Sequence, residues 1–387
     1  MLDIIFGVVT TLYFFILISF FIGLFFPNKK QTRQSYFVSV VVAARNEEKN
    51  IGVLLSDLVN QTYPGDRYEI IIANDGSEDG TADIIETFAR KYPNVKQVLA
   101  LPDAANGLMA KKNALNQGIR NSMGELIVTT DADCRVQPTW IETMVSYFKD
   151  DVGMVVGFSQ LGNREYDYSF FEGLQALDFL SLLAAAQGSL NLNWPLAASG
   201  QNLAYRKEAF EQVGGFMTIK QRISGDDVLL LQLIKKKTNW KIRFASSSRS
   251  FNWTPPERTL KSFLNQRKRW ASNGSYQFHL NKFFFLFIVT VFVMNALVLV
   301  GTPAYATMYH SIALPLGCFA VKVAAEMVVI AKGSRVYQRT DLLKYFPIWV
   351  FVQIPYVIFT GLLGSLGHFI WKDRKHIQEL TIFRTDH

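Results

Sequence analysis

Residues 4–26 run for 23 positions without a charged side chain. As a helix, such a run is about 35 Å long, enough to cross a hydrocarbon core of about 30 Å. A cleaved secretory leader is the competing explanation. The run is too long for a leader's apolar core, no basic residue precedes it, and no small-x-small cleavage pattern follows. Asp3 lies before it and Lys29, Lys30 and Arg33 after it. Basic flanks stay on the cytoplasmic side, so the N-terminus is expected outside and the chain beyond residue 30 inside. Residues 1–30 are therefore read as an N-terminal transmembrane anchor.

Three further apolar segments span residues 283–309, 312–331 and 345–371. The turn between the first two is expected at Gly301 and Pro303. Lys332, Arg335, Arg339 and Lys344 fill the next loop, again a cytoplasmic signature. Four crossings would return the C-terminus to the outside, whereas Lys372, Arg374 and Lys375 favour the inside. Pro347, Pro355, Gly361, Gly364 and Gly367 in the last segment leave a re-entrant turn as the alternative to the favoured full crossing. Residues 281–387 thus form a membrane region of about three segments, in a multi-pass protein of the cell membrane. Lys322 and Glu326 sit one helical turn apart inside the third apolar segment. Their spacing fits mutual neutralisation against neighbouring helices, with a role in an acceptor path as the alternative.

The region between these ends, residues 36–280, reads as a cytoplasmic domain. Of the 387 residues, 49% are hydrophobic and 19% charged, which excludes a disordered chain. Cys134 and Cys318 are the only cysteines, too few for a disulfide scaffold or a cysteine zinc cluster. The net charge of +8 is compatible with nucleic acid, an anionic membrane surface or phosphate-bearing substrates. Residues 37–43 (FVSVVVA) are nearly all apolar, as a buried parallel strand requires. Asn46 is placed to cap a helix carrying Ile51, Leu54, Leu55 and Leu58 on one face. Strands at 68–73, 96–100 and 125–130 alternate with helices carrying Ile84, Ile85 and Phe88, then over 110–120, then after Pro138. That order predicts an α/β fold, a Rossmann-like open and mostly parallel sheet with helices on both faces. Ligands bind beyond the carboxyl ends of such strands, where Asp75, Asp131 and Asp133 are expected to converge. Residues 166–192 form a further helix, read as a soluble core helix or, alternatively, one lying on the membrane.

Asp131 and Asp133 follow the strand ELIVTT with one residue between them. Two carboxylates in a turn after a buried strand suit Mg²⁺ or Mn²⁺, whose shells substrate phosphates complete. Asp75 ends the second strand, a place to read a ligand. No Gly-x-Gly-x-x-Gly follows the first strand and no P-loop is present, so dinucleotide and P-loop chemistry are unsupported. His279, His310, His368, His376 and His387 all lie at or beyond the domain's edge, which argues against histidine metal or triad chemistry. Asp226 and Asp227 precede an apolar helix and either cap it or face a ligand. The run Gln266-Arg267-Lys268-Arg269-Trp270 is either a basic collar at the membrane or a site for a diphosphate and a sugar.

In order, NDGSEDGT, TTDADC, SGDD and QRKRW resemble the motifs of membrane-bound family 2 glycosyltransferases of GT-A fold. AKKNALNQG and GQNLAYRKEAFEQVGGF resemble two further family stretches, and the likeness covers residues 37–270 and the membrane flanks. Both processive β-glycan synthases and ceramide glucosyltransferases carry such motifs. The resemblance implies an inverting, metal-dependent hexosyltransferase that moves a sugar from a nucleotide-sugar, a UDP-sugar by expectation, to a membrane-held lipid or glycan in β linkage. It assigns Asp75 to the nucleotide, Lys111 to the diphosphate, Asp131 to the nucleotide and metal, and Asp133 to the metal, Mg²⁺ or Mn²⁺. Asp227 would be the general base, Gln266 and Arg269 would hold the diphosphate, and Trp270 would stack on the acceptor. Asp226 stands where the family often has Glu, which leaves Asp226 as the alternative base. No gating-loop motif follows Trp270, which disfavours the alternative of a processive β-polysaccharide synthase. A regulatory nucleotide-sugar-binding pseudoenzyme is the reading from another class, countered by the filled carboxylate and Q-x-x-R-W positions. The expected partners are donor, acceptor and membrane, without nucleic acid.

Overall fold

A computed structural model describes residues 1–28, 35–101, 107–163, 165–222, 224–365, 368–371 and 374–377. Lys29, Lys30, Arg33, Lys372 and Gly367, which enter the topology argument above, lie outside the described residues. In chain order the elements begin with α1 (Leu2–Gly23), β1 (Val38–Ala44), α2 (Ile51–Val59), β2 (Tyr68–Asn74), α3 (Thr81–Lys91), β3 (Val95–Leu99) and α4 (Ala110–Arg120). There follow β4 (Leu126–Thr129), β5 (Arg135–Val136), α5 (Trp140–Val145), β6 (Val152–Gly157), β7 (Ser159–Leu161), α6 (Phe170–Asn191), β8 (Leu203–Arg206), α7 (Lys207–Gln212) and α8 (Val228–Lys237). The chain continues with β9 (Lys241–Ala245), β10 (Asn252–Thr254), α9 (Leu260–Ala271), α10 (Gln277–Leu280), α11 (Lys282–Ala296), α12 (Thr302–Tyr309), α13 (Ala313–Val336), α14 (Phe346–Ser365), β11 (His368–Trp371) and β12 (Arg374–Ile377).

These elements form two compact units. One comprises Pro27–Tyr166 and Asn193–Pro255, the other Met1–Phe26, Asp167–Leu192 and Pro256–His387. Residues 167–192 and 256–280, which sequence placed in the 36–280 domain, therefore cluster with the apolar helices.

The α/β unit is built on a seven-stranded sheet of order β3-β2-β1-β4-β8-β6-β9. β1 runs parallel to β2 and β4, with Val41 beside Ile71 and Thr129. β8 alone reverses, lying antiparallel to β4 and β6. Val38, Val40 and Val42 of β1 pack on Leu54, Leu55 and Leu58 of α2, Ile85 of α3 and Trp140, Ile141 and Met144 of α5. Each such buried side chain is worth about 1.5–3 kcal/mol relative to exposure. α4 covers the opposite face. A Cβ at Gly118 would lie 2.6 Å from Val41 Cγ1, so only glycine lets this helix approach the sheet. Asn46 does not cap α2, whose N-cap is Asn50. Asn46 instead adopts φ 52° and ties two loops, its Oδ1 accepting from the Glu78 N–H.

Among the described residues the helical unit contains four helices long and apolar enough to cross a membrane: Leu2–Gly23, Lys282–Tyr309, Ala313–Val336 and Thr340–Gly364. The second runs unbroken through Gly301 and Pro303. A π turn over Leu297–Gly301 joins α11 to α12, Pro303 follows that turn by two residues, and α12 ends at His310 with φ 50°. The last helix ends at Ser365. The final residues of the expected apolar segment form β11, paired antiparallel with β12.

Helix α6 is neither a core helix of the α/β unit nor an amphipathic helix on a surface. Leu177, Leu180, Leu183, Ala184 and Gly188 bury it among helices of its own unit. A Cβ on Gly188 would meet the Phe20 carbonyl at 2.2 Å, and one on Gly23 would meet the Gly188 carbonyl at 1.9 Å. Small residues thus let α1 and α6 touch backbone to backbone. The Lys322–Glu326 pair forms as its spacing predicts, with Nζ at 2.8 and 3.0 Å from the two carboxylate oxygens. Tyr13 of α1 and Gln353 of α14 donate to the same carboxylate at 2.6 and 2.9 Å. Every strong polar atom of the pair is met, so three helices are keyed together. Removing one partner of a buried pair costs about 3–5 kcal/mol.

Candidate active site

Because β2, β1 and β4 are parallel neighbours, the residues just past their ends share one edge of the sheet. Asp75 follows β2 and Arg45 follows β1. The Asp75 N–H bonds the Ala44 carbonyl at 2.9 Å, and Arg45 Nη1 donates to the Asp75 carbonyl at 2.5 Å. Arg45 Nη1 also lies 4.0 Å from Asp75 Oδ2. Asp131 and Asp133 follow β4, closed into a turn by the Cys134 N–H on the Asp131 carbonyl.

Lys111 stands in the first turn of α4 and brings the chain-distant carboxylates together. Its Nζ lies 2.7 Å from Asp131 Oδ1 and 3.0 Å from Asp226 Oδ2. Ala110 before it takes φ 53°, a left-handed conformation that costs a non-glycine residue about 1–3 kcal/mol. Burial pulls the Lys111 ammonium down, but Asp131 and Asp226 outweigh it and hold the group well above its ordinary value. Asp227 caps α8. Its Oδ1 accepts from the Val228 N–H at 2.6 Å and its Oδ2 from the Gly200 N–H at 2.9 Å. Burial first, and Asp226 next, push its carboxyl up to about 6 against the opposing pull of Lys111. A carboxylate poised there is mostly ionised at neutral pH yet basic enough to take a proton.

Three supports of this cluster lie within stretches the sequence singled out, but without a role assigned to them there. Lys112 is fully buried and donates to the carbonyls of Ile219 (2.6 Å) and Arg222, pinning the segment 219–222 that precedes Asp226 in the chain. Asn202 holds the Gly200 loop, accepting from Trp140 Nε1 at 3.0 Å and donating to the Phe158 and Ser250 carbonyls. Gly200 itself leaves no room: a Cβ there would sit 3.2 Å from both Asp226 Oδ2 and Lys111 Nζ. Adjacent lysines and a glycine before a strand are common, so the stretches AKKNALNQG and GQNLAYRKEAFEQVGGF do not say what these residues hold until the loops are assembled.

The structure therefore gathers Lys111, Asp131, Asp226 and Asp227, and sets Asp75 and Asp133 at the same sheet edge. Gln266, Arg269 and Trp270 belong to the helical unit, where positions i, i+3 and i+4 of α9 share one face. Gln266 Nε2 donates to Glu257 Oε1 at 3.1 Å.

Among the described residues no group of three or more His, Cys, Asp or Glu side chains is placed to hold a metal ion. Asp131 and Asp133 nonetheless fit a hard cation in part. Both offer oxygen, the hard donor such ions take, and Asp131 has one of its oxygens paired with the Lys111 ammonium.

Residues 6–375 match the pattern of glycosyl transferase family 21. A probable glycosyltransferase of Bacillus subtilis, YdaM, is 32% identical over 244 residues, 62% of this chain and 55% of its own length. The beta-monoglucosyldiacylglycerol synthase of Trichormus variabilis is 30% identical over 247 residues, 63% of this chain and 50% of its own. The chain thus spans about half the length of these curated relatives. Among solved structures, the mannosyltransferase PcManGT from Pyrobaculum calidifontis in complex with GDP-Man and Mn²⁺ covers 94% of this chain and 99% of its own. Its TM-score is 0.59 at 16% identity, a likeness of fold.

Proposed function

The chain belongs to glycosyl transferase family 21, and from that premise we propose that it transfers a sugar from a nucleotide-sugar to a lipid held in the membrane, with inversion to a β linkage. The observation that carries this reading is the Lys111 ammonium between Asp131 and Asp226, with Asp227 tethered beside them at Gly200. That cluster sets positive charge where a diphosphate would leave and a basic carboxylate where an acceptor hydroxyl would enter. A lipid acceptor is favoured because the Trichormus relative is by name a glycolipid synthase.

In the proposed reaction the acceptor oxygen attacks the anomeric carbon from the face opposite the diphosphate. The new carbon–oxygen bond forms as the bond to phosphate breaks, and the hydroxyl proton passes to Asp227. By the family resemblance, Asp75 would bind the nucleotide, Lys111 and Arg269 would offset the diphosphate charge, Gln266 would donate a hydrogen bond to it, and Trp270 would stack on the acceptor. Asp131 and Asp133 would hold Mg²⁺ or Mn²⁺, which when bound adds charge compensation for the leaving group; the fold neighbour was determined with Mn²⁺. The α/β unit would face the cytoplasm, following the basic residues around the first apolar helix and between the last two.

The test is transfer by membranes containing the full chain, given a panel of radiolabelled nucleotide-sugars with Mn²⁺ or Mg²⁺. Label is expected in the organic phase. Label in precipitable polymer would replace this reading with polysaccharide synthesis. No label above that of membranes carrying the Asp227→Asn variant, with any donor, would end it.

Gly200→Ala gives a finer check. Its methyl must displace the ammonium or the Asp226 carboxylate by a few tenths of an ångström. Transfer should fall by about tenfold, since misplacement of 1 Å can cost about 10²-fold, while the melting temperature changes little. An unaltered rate would show that the Lys111–Asp226 geometry does not matter.

A further inference from the structure

The sequence motif leaves Arg267 as a variable position, yet it is the best-buried residue of its stretch. Arg267 and Asp178 are 5% and 4% exposed, with Nη2 2.7 Å from Asp178 Oδ2. Asp178, on α6, also accepts from Trp349 Nε1 at 3.2 Å and from the Tyr356 hydroxyl, both on α14. The guanidinium lies over the Trp270 ring at 4.2 Å and over Phe263 at 4.7 Å. Its Nη1 donates to Gln266 Oε1 at 2.9 Å. The Phe179 ring, next to Asp178, lies 5.8 Å from Trp270. Glu257, which takes the Gln266 amide nitrogen, is itself held by Gln175 through two hydrogen bonds.

A buried ion pair is weak evidence for stability, because desolvation offsets most of the attraction. Arg267 Nε also lacks a hydrogen-bond partner among the described residues, so this arrangement is not one that packing alone would favour. What the pair does is fix directions. One guanidinium sets the Gln266 amide and the Trp270 ring together, and one carboxylate fixes that guanidinium against α6 and α14.

We propose that Asp178 and Arg267 are positioning residues for Gln266 and Trp270, holding amide and indole in the orientation that transfer uses. The kinetic part of this proposal rests on the glycosyl-transfer reading; the orientational part does not.

Single substitutions would strand a buried charge and risk misfolding. The informative variant is the double Asp178→Asn/Arg267→Gln, which leaves neither charge unpaired. The full-length chain is purified in detergent with 5-fluorotryptophan incorporated, and the Trp270 fluorine resonance is assigned by Trp270→Phe. In the double variant that resonance should shift and broaden, while those of Trp140, Trp194, Trp240 and Trp253 stay in place. Transfer should fall by about 10²-fold with the thermal midpoint near the parental value. A parental Trp270 resonance overturns the proposal. A displaced resonance with parental transfer overturns the kinetic role. If the parent chain itself transfers nothing, the transfer reading fails, and the resonance alone decides: displaced supports the anchoring, parental refutes it.

Discussion

Asp227→Asn lowers sugar transfer by about 10²–10⁴-fold, the usual worth of a positioned base, and leaves nucleotide-sugar binding intact. Asparagine caps helices about as well as aspartate, so the bond from the Val228 N–H survives and α8 should still start where it does. What disappears is a carboxylate pushed up to about 6 by burial and by Asp226. The base works only when unprotonated, so transfer by the parent should fall as pH drops through about 6. The stability linkage has the opposite sign. A carboxyl whose folded pKa lies above its unfolded value binds its proton preferentially in the folded state. Its contribution is full below the ordinary aspartate range and is lost as pH rises through about 6. Asp226→Asn removes one cause of the upward shift, so it should cost less and move the acid limb to lower pH. Near-normal turnover in Asp227→Asn with a dead Asp226→Asn would reverse the two roles, and activity in both would place the base elsewhere.

Excess chelator should reduce transfer to background, and added Mn²⁺ or Mg²⁺ should restore it. The donor set supports this. Two carboxylates in a turn at a strand end are too few to enclose a cation, and divalent ions of this kind fill the remaining positions with water and substrate phosphate. Asp131 has the Lys111 ammonium against one oxygen, 2.7 Å away. Asp133→Asn should therefore raise the metal concentration needed for half-maximal rate, whereas Lys111→Met should raise the donor KM with the metal requirement retained. Full turnover in excess chelator would remove the metal from the reaction and leave Lys111 as the charge-compensating group.

Much of this protein is legible in its sequence because the signals are local. A charge-free run of 23 residues has few physical options, and all four apolar segments appear as long helices. The strand ends carrying Asp75 and Asp131 were placed by apolar runs only a few residues long, and Lys322 with Glu326 by the helical repeat. The helix read over 110–120 has those bounds as α4.

The differences arise where a residue's partner is far along the chain. Asn46 looks like a helix cap, but its Oδ1 finds the Glu78 N–H, 32 residues on. Gly301 and Pro303 look like a turn, yet Gly301 ends a π turn, Pro303 lies in α12, and the span stays continuous. Helix α6 has the composition of a soluble core helix. Its small residues meet α1, and no periodicity within α6 can say which helix it will touch. Arg267 is an unremarkable basic residue until Asp178, 89 positions earlier, lies 2.7 Å from it.

Sequence by itself thus determined which segments are apolar enough to cross a membrane, the β-α order and the identity of the acidic motifs, since hydrophobic period and turn chemistry act over a few residues. Only the tertiary structure decided that Lys111 joins Asp131 to Asp226, that Gly200 tethers Asp227, and that Asp178 anchors Arg267. Those contacts pair buried charges and hydrogen-bonding groups across loops whose paths depend on how the sheet and the helices pack, and no short window of sequence contains both partners.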